Sequence, residues 1–252
     1  MRRITDTALL CLLIASLAGC KSWGSSEDHA LKKRYASNEY PLNPIPGLKK
    51  VGVCVLDATL KYHPDTDALS SALHSQLQAV EGLEVLPDVA VIAVVLRDAL
   101  ALPRDGLKLA DSLHADGVFV AVVTDYDPYG EPVLSMALML FSRATSPAAA
   151  LDLDKLVQGG RPVDLPNTPA SRPVTAVFAV YDASQKTTRD RLQLYAGGQT
   201  AENVGLGWER YYRSMPNFMR FASYEIVWKL FDQLEVQKTI DEGQRKEGAG
   251  RT

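Results

Sequence analysis

The side chains best placed to do chemistry are three carboxylates, Asp125, Asp127 and Glu131, in the short stretch Asp125-Tyr126-Asp127-Pro128-Tyr129-Gly130-Glu131. Three anionic oxygen donors this close could hold a hard cation such as calcium or magnesium. Their spacing lacks the ligand pattern of a recognised calcium loop, and acidic residues commonly occupy exposed turns. The stretch therefore reads first as a turn and only second as a metal site serving a metal-dependent enzyme. His29, His63, His74 and His114 are scattered, without the paired spacing of a metal-binding helix. There is no Gly-x-Ser-x-Gly elbow, and neither Gly159-Gly160 nor Gly197-Gly198 is followed by the Lys-Ser/Thr of a phosphate loop. No catalytic residue, cofactor or metal is expected.

The thiols point elsewhere. Arg2 and Arg3 precede the apolar run Ala8 to Leu17, and Leu17-Ala18-Gly19-Cys20 closes it. That core is about ten residues long, whereas a membrane-spanning helix needs roughly twenty. The closing tetrapeptide resembles a bacterial lipobox. The resemblance implies that residues 1–19 are a lipoprotein signal peptide. Cys20 would then become the N-terminus, carrying a diacylglyceryl thioether and a further amide-linked chain such as palmitate. Two or more acyl chains anchor stably where one does not. Lys21, where an inner-membrane retention signal more often has Asp, favours the outer membrane, facing the periplasm.

Removing nineteen of the 252 residues leaves enough chain for one sizeable core. Arg2, Arg3 and Asp6 leave with the signal, so the formal charge moves from −3 to −4. A mildly acidic chain is a poor match for nucleic-acid phosphates. Cys11 is lost and Cys20 modified, so Cys54 alone remains, and it reads as packing in a strand.

The elements that must position these groups follow from periodicity. Residues 20–47 are rich in Ser, Asn, Pro and charge and read as the lipidated N-terminus and a flexible tether, with a possible helical turn near Ala30 to Tyr35. Such a tether would reach roughly 30 Å. Residues 48–236 read as one α/β domain. Lys50 to Asp57 predicts a strand, and Leu69, Leu73, Leu77 and Val80 an amphipathic helix capped by Asp65 or Asp67. A short strand spans Leu83 to Leu86. Asp88 to Leu102 is ambiguous. Val89, Val91, Ile92, Val94 and Val95 favour a strand by propensity. The length and the cap-like Asp88 after Pro87 favour a buried helix, the reading taken here. Asp105 to His114 predicts another helix. Gly117 to Asp125 and Val133 to Phe141 predict a central hairpin across the Tyr126 to Pro132 turn. The stretch 142–173 reads as a loop excursion and Val174 to Asp182 as the last strand. Ala183 to Tyr195 predicts a helix stopped by Gly197-Gly198. A C-terminal helix from Asn217 aligns Phe221, Tyr224, Trp228, Phe231 and Leu234. Residues 237–252 lack core residues and read as a disordered tail. The sum is an α/β (α+β) fold, a three-layer-like domain with a mixed sheet.

The Val51 to Asp57 strand, the helix after it, and Leu109-Ala110-Asp111-Ser112-Leu113-His114-Ala115-Asp116 leading into Gly117-Val118-Phe119-Val120 resemble one group of domains. These are the α/β domains of envelope lipoproteins related to the curli-secretion protein and the penicillin-binding-protein activators. The TolB N-terminal domain is similar. The Asp182 ending of the last strand fits the same pattern. The resemblance implies a fold rather than an activity. It does not extend to a pore, because the 142–173 stretch is proline-broken and lacks the lipid-facing alternation of barrel strands.

The aromatic residues are the remaining signal. Tyr126 and Tyr129 in the turn, and Trp208, Tyr211 and Tyr212 before the last helix, are candidates for partner binding, since Tyr and Trp suit surfaces that are part packed and part wet. The expectation is a non-enzymatic envelope lipoprotein held to the membrane through Cys20. Its domain would bind an envelope protein or, as an alternative, assemble with itself as a subunit of a secretion or envelope complex.

Overall fold

The computed structural model describes residues 31–35, 40–143, 172–199 and 207–249. The signal segment, Cys20 and most of the 142–173 excursion lie outside the described residues. The strands are β1 (Lys50–Asp57), β2 (Glu84–Val85), β3 (Gly117–Asp127), β4 (Val133–Ser142) and β5 (Thr175–Asp182). The helices are α1 (Thr66–Gln78), α2 (Asp88–Arg97), α3 (Gly106–Ser112), α4 (Lys186–Gln199), α5 (Glu209–Arg213) and α6 (Met215–Ala249). The sheet order is β2-β1-β3-β4-β5, with β1 parallel to both β2 and β3 and the β3–β4–β5 half antiparallel. This is the expected α/β fold with a mixed sheet and a central hairpin.

Helices cover both faces. On one, Leu69, Leu73 and Leu77 of α1 and the first half of α6 bury against Val51, Val53, Phe119 and Leu138, with α4 contributing Leu192 and Tyr195. On the other, Val91 and Val94 of α2 and Leu109 and Ala110 of α3 pack on Val118, Val120, Val122 and Phe141. Because β3 is covered on both sides it reads as a continuous apolar run rather than an alternation. Each fully buried leucine contributes about 1.5–3 kcal/mol relative to exposure. The start of α1 is held by Asp65, whose side chain accepts from the Ala68 amide at 2.9 Å.

Asp116, at the junction of α3 and β3, joins the two parallel strands. Its Oδ2 accepts from the Lys49 and Lys50 amides at 3.0 and 2.8 Å, and its own amide donates to the Lys50 carbonyl. Gly117 follows because a Cβ there would meet Leu48 Cδ1 at 2.7 Å and the Phe141 carbonyl oxygen at 2.9 Å. The Lys50 and Lys49 amides hold the Asp116 carboxyl below the usual carboxylate range. A lowered folded-state value contributes stability that is present above the unfolded value, near 3.9, and is lost as pH falls through the folded one. Asp116→Ala should therefore destabilise at neutral pH, with the gap from the parent chain closing below about pH 4. Urea unfolding at several pH values checks this, and a gap that stays constant to low pH would refute the assigned role.

The chain ends depart from expectation. The stretch 20–47 is not tether throughout. Residues 31–35 form the helical turn read there, but Tyr35 is 2% exposed, Ile45 enters the core, and Leu42 bridges to Glu81. Aromatic and aliphatic side chains in a polar background were enough to dock the segment, because each finds a cleft made by distant elements. Helix α4 runs through Gly197-Gly198 to Gln199, since two glycines weaken a helix by only about 1 kcal/mol each. The tail expected to be disordered from Gln237 is instead helical to Ala249, continuing the helix nucleated by the packed first half of α6.

Candidate functional site

At the hairpin end of the sheet, a register shift between Val123 and Asp125 adds one residue to β3 opposite β4. Such a bulge reverses which side chains face the core. Val123 and Tyr126, three apart, therefore point into the same core, while Asp125 is exposed. Tyr126, expected to contact a partner, is instead a buried packing residue. Asp127 closes the turn, its Oδ1 accepting from the Tyr129 amide at 2.9 Å. Glu131 Oε1 accepts from the Tyr212 hydroxyl at 2.9 Å and lies 3.6 Å from Arg189. Among the described residues no three His, Cys, Asp or Glu side chains gather closely enough to hold a metal ion, so the structure does not assemble Asp125, Asp127 and Glu131 as a metal site. Their work is local: one is solvated, one closes a turn, one links two elements.

The Tyr212–Glu131 bond does bring the two aromatic groups read from the sequence to one end of the domain. Tyr211 is buried in the core, stacked edge-on with Tyr195. Trp208 and Tyr212 are half-buried, with ring centroids 6.0 Å apart. Tyr129 is 68% exposed and meets Tyr62 edge-on at 5.0 Å. Of the five tyrosine and tryptophan candidates, Tyr129, Trp208 and Tyr212 remain reachable from solvent.

Helix α2 holds what the sequence reading missed. Val91 and Val94 face the sheet, but Val89, Ile92 and Leu96 are 74%, 49% and 75% exposed, and Ala93 lies between them. These occupy positions i, i+3, i+4 and i+7, one stripe of a helix. This stretch reads from the sequence as a buried helix, with a strand as the alternative. Its mostly apolar sequence carried the signal of burial, but among the described residues only the side that faces the sheet is covered. Cys54 sits half-buried beneath this helix, its thiol pushed up to about 11 by burial and by Asp88, which suits packing rather than nucleophilic attack.

A third feature lies on the opposite face. Glu225 of α6 is 5% exposed and accepts hydrogen bonds from Arg34 Nη2 and the Tyr35 hydroxyl, with Arg191 Nη1 at 3.3 Å from its other oxygen. The Arg34 guanidinium lies over the rings of Tyr35, Tyr224 and Trp228 at 4.7, 5.4 and 5.1 Å. Burial, then the neighbouring Glu225 carboxylate, push the Tyr35 hydroxyl far above its ordinary range, so it donates at all working pH values. Arg34, Arg191, Glu225 and Trp228 floor a groove of about 1040 Å³ between β5, α4, α6 and the 31–35 turn. No described helix is long and apolar enough to cross a membrane.

No family model matches this chain. No curated protein matches it either. Solved structures with a similar arrangement include a lipoprotein, GNA1162 from Neisseria meningitidis, 15% identical, with 62% of this chain and 86% of that chain covered and a TM-score of 0.33. A PelC dodecamer from Paraburkholderia phytofirmans is 14% identical, covering 73% and 88% with a TM-score of 0.34. The hypothetical protein CT253 from Chlamydia trachomatis is 14% identical, covering 75% and 95% with a TM-score of 0.34. Similarity at this level carries no argument about activity or partner.

Proposed function

We propose that this chain is a lipid-anchored envelope lipoprotein whose α/β domain binds a protein partner and catalyses no reaction. The observation that carries the reading is the apolar stripe Val89, Ile92, Ala93 and Leu96 on α2. Single exposed apolar residues are ordinary, whereas a contiguous stripe marks a surface that is covered in use. Arg97 at its end pairs with Asp98 at 2.7 Å, so the neighbouring charge is already neutralised. The stripe lies across the sheet from the 31–35 turn that follows the anchor, which suits an aqueous protein partner presenting an apolar helix or groove. The anchor itself rests on Leu17-Ala18-Gly19-Cys20, with placement in the outer membrane, facing the periplasm, resting on Lys21.

The test is a photo-cross-linking residue at position 96 in cells producing the full-length protein. A discrete adduct to one other envelope protein, reduced severalfold by Val89→Glu, supports the reading. Adducts formed only between copies would replace it with self-assembly, and no adduct at all would remove it. Both stripe positions are exposed, so Val89→Glu should change folding stability by no more than about 0.5 kcal/mol. Cys20→Ala should move the protein out of the membrane fraction, and unchanged fractionation would refute the anchor.

A further inference from the structure

The groove above Glu225 is more basic than its acidic chain. Lys33, Arg34, Arg191 and Lys229 line it against two carboxylates, Glu225 and Asp232, and Glu225 is already shared by two of the arginines. Lys32 lies exposed beside it on the 31–35 turn. Lys229 donates at 2.7 Å to the Phe178 carbonyl on β5, the outermost of the described strands on that side. Burial, and then the proximity of Arg191, lower its affinity for its own proton, with Glu225 acting in the opposite direction. Trp228, Leu31 and Val180, the last 54% exposed, supply apolar surface next to these charges.

Position adds the second argument. Ten residues separate Cys20 from Leu31. Even fully extended, ten residues span at most about 36 Å. That is less than the roughly 40 Å width of a domain of about 200 residues. If Cys20 is in the bilayer, the face carrying the 31–35 turn must stay near the headgroups. Basic side chains interleaved with Trp and aliphatic residues form the composition that rests on an anionic lipid surface.

We propose that this groove and its Lys32–Lys33–Arg34 rim form an anionic-phospholipid contact. It orients the tethered domain with β5 and the 31–35 turn towards the membrane. The proposal rests on the anchor reading above, and the following experiment separates the two. The lipidated full-length protein is reconstituted into vesicles of phosphatidylcholine alone, or of phosphatidylcholine with phosphatidylglycerol, and amine acylation of Lys32, Lys33 and Lys229 is followed by mass spectrometry.

Each basic residue held at an anionic surface is worth about fivefold in residence. Acylation of all three lysines should therefore slow about fivefold or more in the phosphatidylglycerol vesicles relative to phosphatidylcholine. The difference should disappear at high salt, because the contact is screened. Lys32→Glu with Lys33→Glu should abolish the protection of Lys229. Equal labelling in both vesicle types, with the protein co-floating with both, would overturn the lipid contact and leave the anchor intact. Failure to float with either vesicle would overturn both. Protection given equally by inorganic phosphate added to phosphatidylcholine vesicles would overturn the membrane contact in favour of a soluble anion.

Discussion

Glu225→Ala should lower the unfolding free energy by roughly 3–5 kcal/mol, the cost of removing one partner from a buried ion pair. The carboxylate is the shared acceptor for Arg34 and Tyr35, and without it the guanidinium is left uncompensated among three aromatic rings. The size comes from stranding that charge rather than from the net worth of the pair, which desolvation largely offsets. Arg191 makes the contrast. It reaches the same carboxylate but is half exposed, so Arg191→Ala should cost about 1 kcal/mol or less. Urea unfolding of the two variants reads the difference. Trypsin supplies a local readout, since undocking the turn frees its helical backbone at Lys32, Lys33 and Arg34 for cleavage before the domain unfolds. Equal losses for the two variants would contradict the assignment of Glu225 as the pin that holds the N-terminal segment.

Phe231→Ala should cost about 3–5 kcal/mol, as for other large buried aromatics. The ring is 1% exposed and lies 6.2 Å from that of Phe119 on β3, so it ties α6 to the middle of the sheet. Strand β3 is paired on both sides and cannot move to fill the space, which places the loss towards the upper end of the range. Phe231→Leu should cost no more than about 1.5 kcal/mol, because most of the volume is kept. Further along the same helix Ile240 is 48% exposed, and Ile240→Ala should change stability by about 0.5 kcal/mol or less. A large loss at Ile240 would mean that the distal part of α6 is packed.

The two expectations share a cause. The 31–35 turn and the first half of α6 are a single packed unit, with Tyr35, Tyr195 and Tyr224 in mutual ring contact. That unit supplies Leu31, Arg34, Glu225 and Trp228 to the lining of the groove.

Local periodicity was sufficient for the strands and helices that form the core. The Val51-Val53-Val55 alternation, the leucine steps of α1 and the β-branched run of β3 each follow from the repeat of their own backbone, so β1, α1 and the β3–β4 hairpin are legible from residue order. Asp116 and Asp182 were legible as positions, and the structure supplies their chemistry: one accepts from two amides of β1, the other from the Ser184 amide at 2.8 Å.

Which face of each element meets another was decided only by the tertiary structure. The one-residue bulge near Thr124 buries Tyr126 and exposes Asp125, reversing what alternation predicts. Helix α2 is apolar over more than one face, and only the tertiary structure shows that Val91 and Val94 are covered while Val89, Ile92 and Leu96 stay exposed. Tyr35 and Arg34 look like tether residues until Glu225, 190 positions later, is beside them. Backbone repeats are properties of neighbouring residues, whereas burial is a property of what distant residues place on the other side. Residue order alone thus points to an anchor and a fold class, and the tertiary structure alone places the apolar stripe on α2 and the basic groove beside β5.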